Sequence, residues 1–307
     1  MKKKFKKYRV IGDIHGRKNW IDLVTPFDDD TLYIFIGDYT DPYYYEGVTH
    51  KQMIEQILLM LQFKKEHPDN VILLVGNHDL QYIADIRETN RYDWLNAAQI
   101  SKIFKENEEL FYGVAYQIGE KYLVTHAGVT LDWYQKWIDY KKDDLTLERL
   151  CEQVNDLWHK NKEAFAFSKS AKMSDYYGSS STHGPLWIRP TSLWEYNIFG
   201  FGSGKIQIVG HTRFEHYRDE FKDLDGTIVP TGTQKDEPTE EMIDRGLDYW
   251  INDGVHVCKP VYNDNNNVDI IQIDCLEAET ACVEINGETL EWKKVLVEND
   301  KTAKDNG

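Results

Sequence analysis

Leu32-Tyr33-Ile34-Phe35-Ile36-Gly37-Asp38 is five apolar residues in succession, released into a glycine and an acid. A run this short and this apolar, rich in β-branched and aromatic side chains, reads as a strand covered on both faces, the habit of strands inside parallel sheets. The same grammar recurs on either side. Tyr8-Arg9-Val10-Ile11 leads into Gly12-Asp13-Ile14-His15-Gly16, and Val71-Ile72-Leu73-Leu74-Val75 leads into Gly76-Asn77-His78-Asp79. Between the second and third runs, Ile54, Ile57, Leu58 and Leu61 stand at helical spacing, and Pro68-Asp69-Asn70 closes that helix. Strands alternating with helices predict an α/β fold with parallel pairing, whose functional loops gather at the carboxyl ends of the strands. The Gly-led loops all stand at that end, which is a first reason to expect them to meet.

Further along, Tyr122-Leu123-Val124-Thr125 leads into His126-Ala127-Gly128, and Ile206-Gln207-Ile208-Val209 into Gly210-His211-Thr212. Residues 131–166 read as helical, with Leu147, Leu150, Val154 and Leu157 spaced for one buried face. Residues 168–182 form a polar, Ser-rich stretch long enough to serve as a lid. A polar, Gly- and acid-rich region runs to about Asn267, followed by an alternating stretch from Val268 to Ile273. Residues 281–285 and 290–292 read as a strand pair joined by Asn286-Gly287, a hairpin signal. The expected organisation is one domain over residues 1–298, with a helical insert at about 131–183 and a polar insert at about 213–267. Residues 299–307 read as a polar tail.

The composition narrows the function class. Of 307 residues, 41% are apolar and 29% charged, a globular balance, and the formal net charge of −16 argues against nucleic acid or anionic lipid as a partner. It does not argue against an anionic substrate, because divalent cations can reverse the local field of an acidic protein. The lysines at 2, 3, 4, 6 and 7 are followed by no apolar segment of the kind a secretory signal needs, and read as a solvated lead-in to the first strand. No apolar stretch reaches the ~18 residues of a membrane span. Cys151, Cys258, Cys275 and Cys282 form no CxxC pair and read as reduced, buried thiols, which predicts a cytoplasmic protein.

The chemistry lies in five polar loops, which deliver Asp13, His15, Asp38, Asn77, His126 and His211. Three imidazoles, two carboxylates and an amide make a mixed nitrogen and oxygen set, better suited to manganese, iron or zinc than to calcium or magnesium. Asp13 and His15 are two residues apart, so on an extended segment both would face one ion. A lone Gly-Asp at a strand end is usually a turn, and a lone Gly-His-Thr usually nothing. Five such loops in order, each after a strand-like run, are hard to ascribe to coincidence. His50, His67, His159 and His256 lack the Gly-led setting and read as surface or packing residues. The Tyr43-Tyr44-Tyr45 run reads either as a groove lining or as a loop packed under the helical insert.

Gly12-Asp13-Ile14-His15-Gly16, Gly37-Asp38-Tyr39-Thr40-Asp41, Gly76-Asn77-His78-Asp79, His126-Ala127-Gly128 and Gly210-His211-Thr212 resemble the ordered motifs of calcineurin-like metallophosphoesterases. The pattern is nearest the phosphoprotein phosphatase type, including its bacterial and phage members, and spans residues 8–212. Ile271-Gln272-Ile273-Asp274 is similar to the family's closing strand. The resemblance implies a four-layer α/β/β/α sandwich holding two divalent metal ions, manganese first, with iron or zinc as alternatives. It implies that Asp13 and His15 bind one ion, that Asp38 bridges, and that Asn77, His126 and His211 complete the second. It further implies hydrolysis of phosphate monoesters, phosphoproteins among them, by a metal-bridging hydroxide. His78 would be the general acid, Asp41 the carboxylate that orients it, and Arg189, within Trp187-Ile188-Arg189-Pro190, a phosphate-gripping residue.

The chain departs from the pattern at one place. The family's second motif continues Asp-Arg-Gly, and that arginine also contacts phosphate; here Asp41 is followed by Pro42 and Tyr43. The metal ligands are untouched, but the substrate class is left open. Two other readings stand beside the phosphomonoesterase. One is a nucleotide hydrolase acting on dinucleoside polyphosphates or cyclic phosphodiesters, and the other a metal-binding scaffold without turnover.

Overall fold

Alternate residues of the second apolar run face opposite ways, and each parity meets a different core. Tyr33 and Phe35 pack with Trp20, Ile54, Ile57 and Met60, whereas Leu32, Ile34 and Ile36 pack with Val124, Ile208 and Ile271. Burying a large apolar side chain is worth roughly 1.5–3 kcal/mol, so a polar residue at either parity would damage one core or the other. That two-sided burial is why the run carries no polar alternation.

The computed structural model describes residues 3–139, 145–170, 180–200, 202–212, 247–252, 255–260, 268–274, 276 and 280–297. At 170, 191, 247–252 and 255–260 it describes the backbone alone. The chain runs β1 (Lys7–Ile11), α1 (Trp20–Val24), β2 (Thr31–Phe35), α2 (His50–Glu66), β3 (Val71–Leu74), α3 (Asn77–Ile83), α4 (Ala97–Glu106) and β4 (Phe111–Gly113). There follow β5 (Ala115–Ile118), β6 (Tyr122–Thr125), α5 (Leu131–Trp137), α6 (Leu147–Lys160), α7 (Phe167–Ser170), α8 (Pro190–Glu195) and β7 (Ile206–Val209). The last elements are β8 (Leu247–Asn252), β9 (Val255–Pro260), β10 (Ile270–Gln272), β11 (Ala281–Asn286) and β12 (Trp292–Leu296).

Two six-stranded sheets result, in the orders β12-β11-β1-β2-β3-β4 and β5-β6-β7-β10-β9-β8. The strands β1 to β4 are parallel, as are β6, β7 and β10, while the hairpin strands at the edges are antiparallel. The sheets meet face to face over Val10, Ile34, Leu74, Val124, Ile208 and Val283. Helices α1, α2 and α4 cover the outer face of the first sheet, while α6 and α8 lie on the second. The architecture is the mixed α/β sandwich that the motifs implied. Parallel order brings the loops after β1, β2, β3, β6 and β7 to one end.

Several local readings are corrected. Leu58 is exposed, and the buried stripe of α2 is Met53, Ile54, Ile57, Met60 and Leu61; the helix begins with a capping box between Thr49 and Gln52. In α6 the stripe ends on Trp158, with Leu157 partly buried. Ser168–Ser170 belongs to α7, while residues 171–179 of the expected lid lie outside the described residues. The stretch read as a polar insert holds β8 and β9, which extend the second sheet at its edge. The last hairpin does not turn on Asn286-Gly287 alone. Asn286 N donates to Glu291 O, its Oδ1 accepts from the amides of Glu288 and Thr289, and Leu290 takes a left-handed φ of 55°, so the loop is longer and β12 begins at Trp292. The closing strand β10 lies parallel to β7. Cys151 and Cys282 are buried, free thiols pushed up to about 12 by burial, while the Cys258 side chain and Cys275 lie outside what is described. No helix among the described residues is long and apolar enough to cross a membrane.

Candidate metal centre

The loop after β1 turns back on itself. His15 takes φ of +45°, and its amide and that of Ile14 both donate to Asp38 O, at 2.6 and 3.1 Å. Asp13 and His15 are therefore brought together by a left-handed kink, not by the extended segment that their spacing suggests. Asp38, Asp41 and His211 also have positive φ, at 56°, 55° and 66°. Non-glycine residues in this region are costly, by roughly 1–3 kcal/mol, and persist where the surroundings over-determine them. Here the surroundings are on view. Asp79 Oδ2 accepts from the amides of Asp38 (2.7 Å) and Gly76 (2.9 Å), and its Oδ1 accepts from Tyr39 N (2.9 Å). A buried carboxylate with three backbone donors fastens the loop after β2 to the one after β3. Gly76 and Gly210 are required by close approach, since a Cβ at either would strike the carboxylate of Asp38 or Asp13.

Ligand-type atoms converge between these loops. One oxygen or nitrogen each from Asp13, His15 and Asp38 lies within 4.8 Å of the others. Asp38 Oδ2 is 3.6 Å from His15 Nε2 and 3.5 Å from His126 Nε2. Asn77 Oδ1 is 2.9 Å from His126 Nε2 and 3.1 Å from His211 Nδ1. Across the sheets, His211 N donates to the Asp13 carboxylate. All six sequence-selected residues are thus brought to one place.

The proton inventory shows what that place can hold. His15 Nδ1 is 2.6 Å from Thr40 O and His126 Nδ1 is 3.1 Å from Ile36 O. A carbonyl only accepts, so each imidazole carries its proton on Nδ1 and turns a bare Nε2 inward. At His126 that lone pair meets the Asn77 carbonyl and the Asp38 carboxylate, which are acceptors too. Acceptors this close with no proton between them repel, and a divalent cation among them removes the conflict. Atoms bound to one such ion at about 2.0–2.2 Å lie roughly 3 Å apart, the spacing found here. Burial pushes Asp13 and Asp38 up, each helped by a neighbouring carboxylate. It also pushes His15 and His211 well down and His126 down to about 3, leaving their lone pairs available. The donor set fits the metal ions that the motifs imply.

His78 follows Asn77 in the first turn of α3, with Nδ1 2.8 Å from Asp41 Oδ2. Burial pushes Asp41 up to about 7, opposed by donors from Tyr82 OH and Gln81 Nε2, each at 2.5 Å. Arg189 Nη1 donates to Thr212 Oγ1 at 3.0 Å, beside His211. Of the histidines set aside, His67 stacks on Phe27 at 3.8 Å, His50 pairs with Asp93 and His159 is exposed; the His256 side chain is not described. The tyrosine run lies at the rim, with Tyr44 fully exposed and the Tyr43 ring 5.7 Å from that of His15.

Two residues of the site escaped the sequence reading. Asp79 stood inside a quoted motif, but nothing local marked it as the acceptor for three amides. Arg91 lies in the turn between α3 and α4, and its Nη2 comes within 3.0 Å of His78 Nε2 and 3.4 Å of His15 Nε2. No periodicity distinguishes it from Arg87 in the same stretch.

The profile of calcineurin-like phosphoesterases matches residues 6–215. Among solved structures, the chain is similar to a protein serine/threonine phosphatase from Saccharomyces cerevisiae, with 14% identity and a TM-score of 0.47, covering 95% of this chain and 80% of that one. It is also similar to a metallophosphoesterase from Sphaerobacter thermophilus, with 12% identity and a TM-score of 0.42, covering 95% and 88%. The family assignment rests on the profile and not on these distant likenesses.

Proposed function

The chain belongs to the calcineurin-like phosphoesterase family, and from that premise we propose that it hydrolyses phosphate monoesters at a dinuclear metal centre with His78 as general acid. It is a metal-dependent phosphoesterase; the proposal concerns its substrate and its steps. Asp13 and His15 would hold one ion, Asp38 would bridge, and Asn77, His126 and His211 would hold the other. When bound, the pair supplies a water of lowered pKa and neutralises charge on the phosphoryl oxygens. The chain's own residues do the rest. Asp41 takes the Nδ1 proton of His78 as a hydrogen bond, so Nε2 is the atom that faces the reacting group. Burial and the Arg91 charge push His78 well down. An anionic phosphoryl group beside it acts in the opposite sense, which ties protonation to substrate binding. Arg189, whose Nη1 donates to Thr212 Oγ1 beside His211, would bind phosphoryl oxygens from the second sheet.

The observation that carries this reading is the His78–Asp41 pair set directly against the cluster of candidate metal ligands, where a proton donor to a leaving group would have to stand. His78→Asn should keep full metal content and lose about 10²–10⁴ in turnover on alkyl phosphates and phosphopeptides. Aryl phosphates, whose leaving groups need little protonation, should lose less. A uniform loss across leaving groups removes His78 from the acid role. Faster turnover of dinucleoside tetraphosphates or cyclic phosphodiesters than of phosphopeptides would replace the monoester reading with the nucleotide one.

A further inference from the structure

The family pattern places an arginine directly after Asp41, where this chain has Pro42. The fold brings another guanidinium to the same place. Arg91 Nη1 donates to Asp41 O at 2.6 Å, and the guanidinium carbon lies 3.6 Å from the centroid of the Tyr43 ring. It is therefore tethered to the residues on both sides of Pro42. Its Nη2 points between His15 and His78, whose ring centroids are 5.2 Å apart. We propose that Arg91 is a phosphate-binding residue of this enzyme, supplying from the turn after α3 the guanidinium that position 42 lacks. The inference rests on the phosphomonoesterase reading above.

The direction of the donors is what argues for a ligand. Both Nε2 atoms facing Arg91 are acceptors, because each Nδ1 proton is already directed at Thr40 O or Asp41. In the reaction proposed above both lone pairs have other partners, a cation for His15 and a proton for His78. The Nη2 hydrogens then face the site beside the leaving group, where the oxygens of a phosphoryl group are the natural acceptors. Charge-assisted bonds from a planar guanidinium to such oxygens are among the stronger hydrogen bonds in proteins. Stacking on Tyr43 fixes the plane, and the bond to Asp41 O fixes its rotation, so little freedom remains to be lost on binding. A guanidinium serving only to brace the 41–43 loop would need the bond to Asp41 O and the stacking, but not a second nitrogen aimed between two site histidines.

The test is calorimetric titration of the manganese-loaded protein with inorganic phosphate, for the wild type, Arg91→Met and Arg91→Lys, with metal content and thermal midpoint measured alongside. The Met side chain keeps an unbranched stem against Tyr43 without the charge. The expected result is about 10- to 100-fold weaker phosphate binding for Arg91→Met, partial recovery for Arg91→Lys, and unchanged metal content. Unchanged phosphate affinity in Arg91→Met overturns the proposal. So does an equal loss in both variants accompanied by a lower thermal midpoint, which is the mark of a loop brace. Should Arg91→Met fail to fold, Arg91→Lys alone decides, with unchanged affinity again overturning. A wild type that binds no phosphate removes the site reading itself, whereas wild-type binding matched by the variants removes Arg91 alone.

Discussion

The loops after β1, β2 and β3 lock one another, whereas the two candidate ligands on the loops after β6 and β7 are aimed by contacts that cross to the first group. In the first group, Asp79 joins two loops through three amide bonds, and Asp38 O accepts from both Ile14 and His15. In the second group, the His126 ring is fixed by Ile36 O, and the His211 amide by the Asp13 carboxylate. Within that group, Gly210 N donates to His126 O at 2.7 Å. The first sheet thus carries a half-site whose loops brace one another, and the second contributes candidate ligands whose aim depends on the docking of the two sheets. Each half also brings an arginine, Arg91 from the first and Arg189 from the second.

Asp38→Ala should test this asymmetry most severely. Its carboxylate faces His15 on one side and His126 on the other, and it also accepts from His78 N at 2.9 Å. Elemental analysis should show metal lost from both halves and turnover at background. Full retention of two metal equivalents would mean that the halves bind independently.

Asp79→Ala leaves three buried amides without acceptors. Each such group costs about 1–3 kcal/mol, so denaturant unfolding of the metal-free protein should show a loss of roughly 3 kcal/mol or more. Metal affinity should also fall, by about 10- to 100-fold, because the ligands lose their support. Normal metal affinity in this variant would show that the first half-site holds its shape without the cross-tie.

Gln207 is the second sheet's nearest counterpart to Asp79. Its Oε1 accepts from Val129 N at 2.8 Å, while its Nε2 donates to Val129 O and Asn197 Oδ1 at 3.0 and 2.9 Å. Gln207→Ala should cost about 1–3 kcal/mol and change turnover only modestly, since the splint lies beyond His126 and touches no candidate ligand. A loss of metal as large as that of Asp79→Ala would erase the distinction between the halves.

Much of the architecture follows from local pattern. Runs apolar at both parities became strands buried on both faces, and Thr49, Thr130 and Thr146 cap the helices that follow them. The residue types and order of the strand-end loops were enough to propose a metal centre, because parallel strands place their carboxyl ends together whatever the details between. Where the reading failed, the deciding contact was remote. Leu58 has the spacing of a core residue, but the register of α2 against its sheet turned it outward.

The sequence by itself determined the strand grammar, the residue types of the strand-end loops and the proline after Asp41, because these depend on residues close along the chain. Tertiary structure alone decided that His15 reaches its partners through a left-handed kink, that Asp79 gathers amides from two loops, and that Arg91 arrives where Pro42 stands. These outcomes depend on where an irregular segment is carried by the packing of elements on either side. A loop without periodicity holds no local record of that destination.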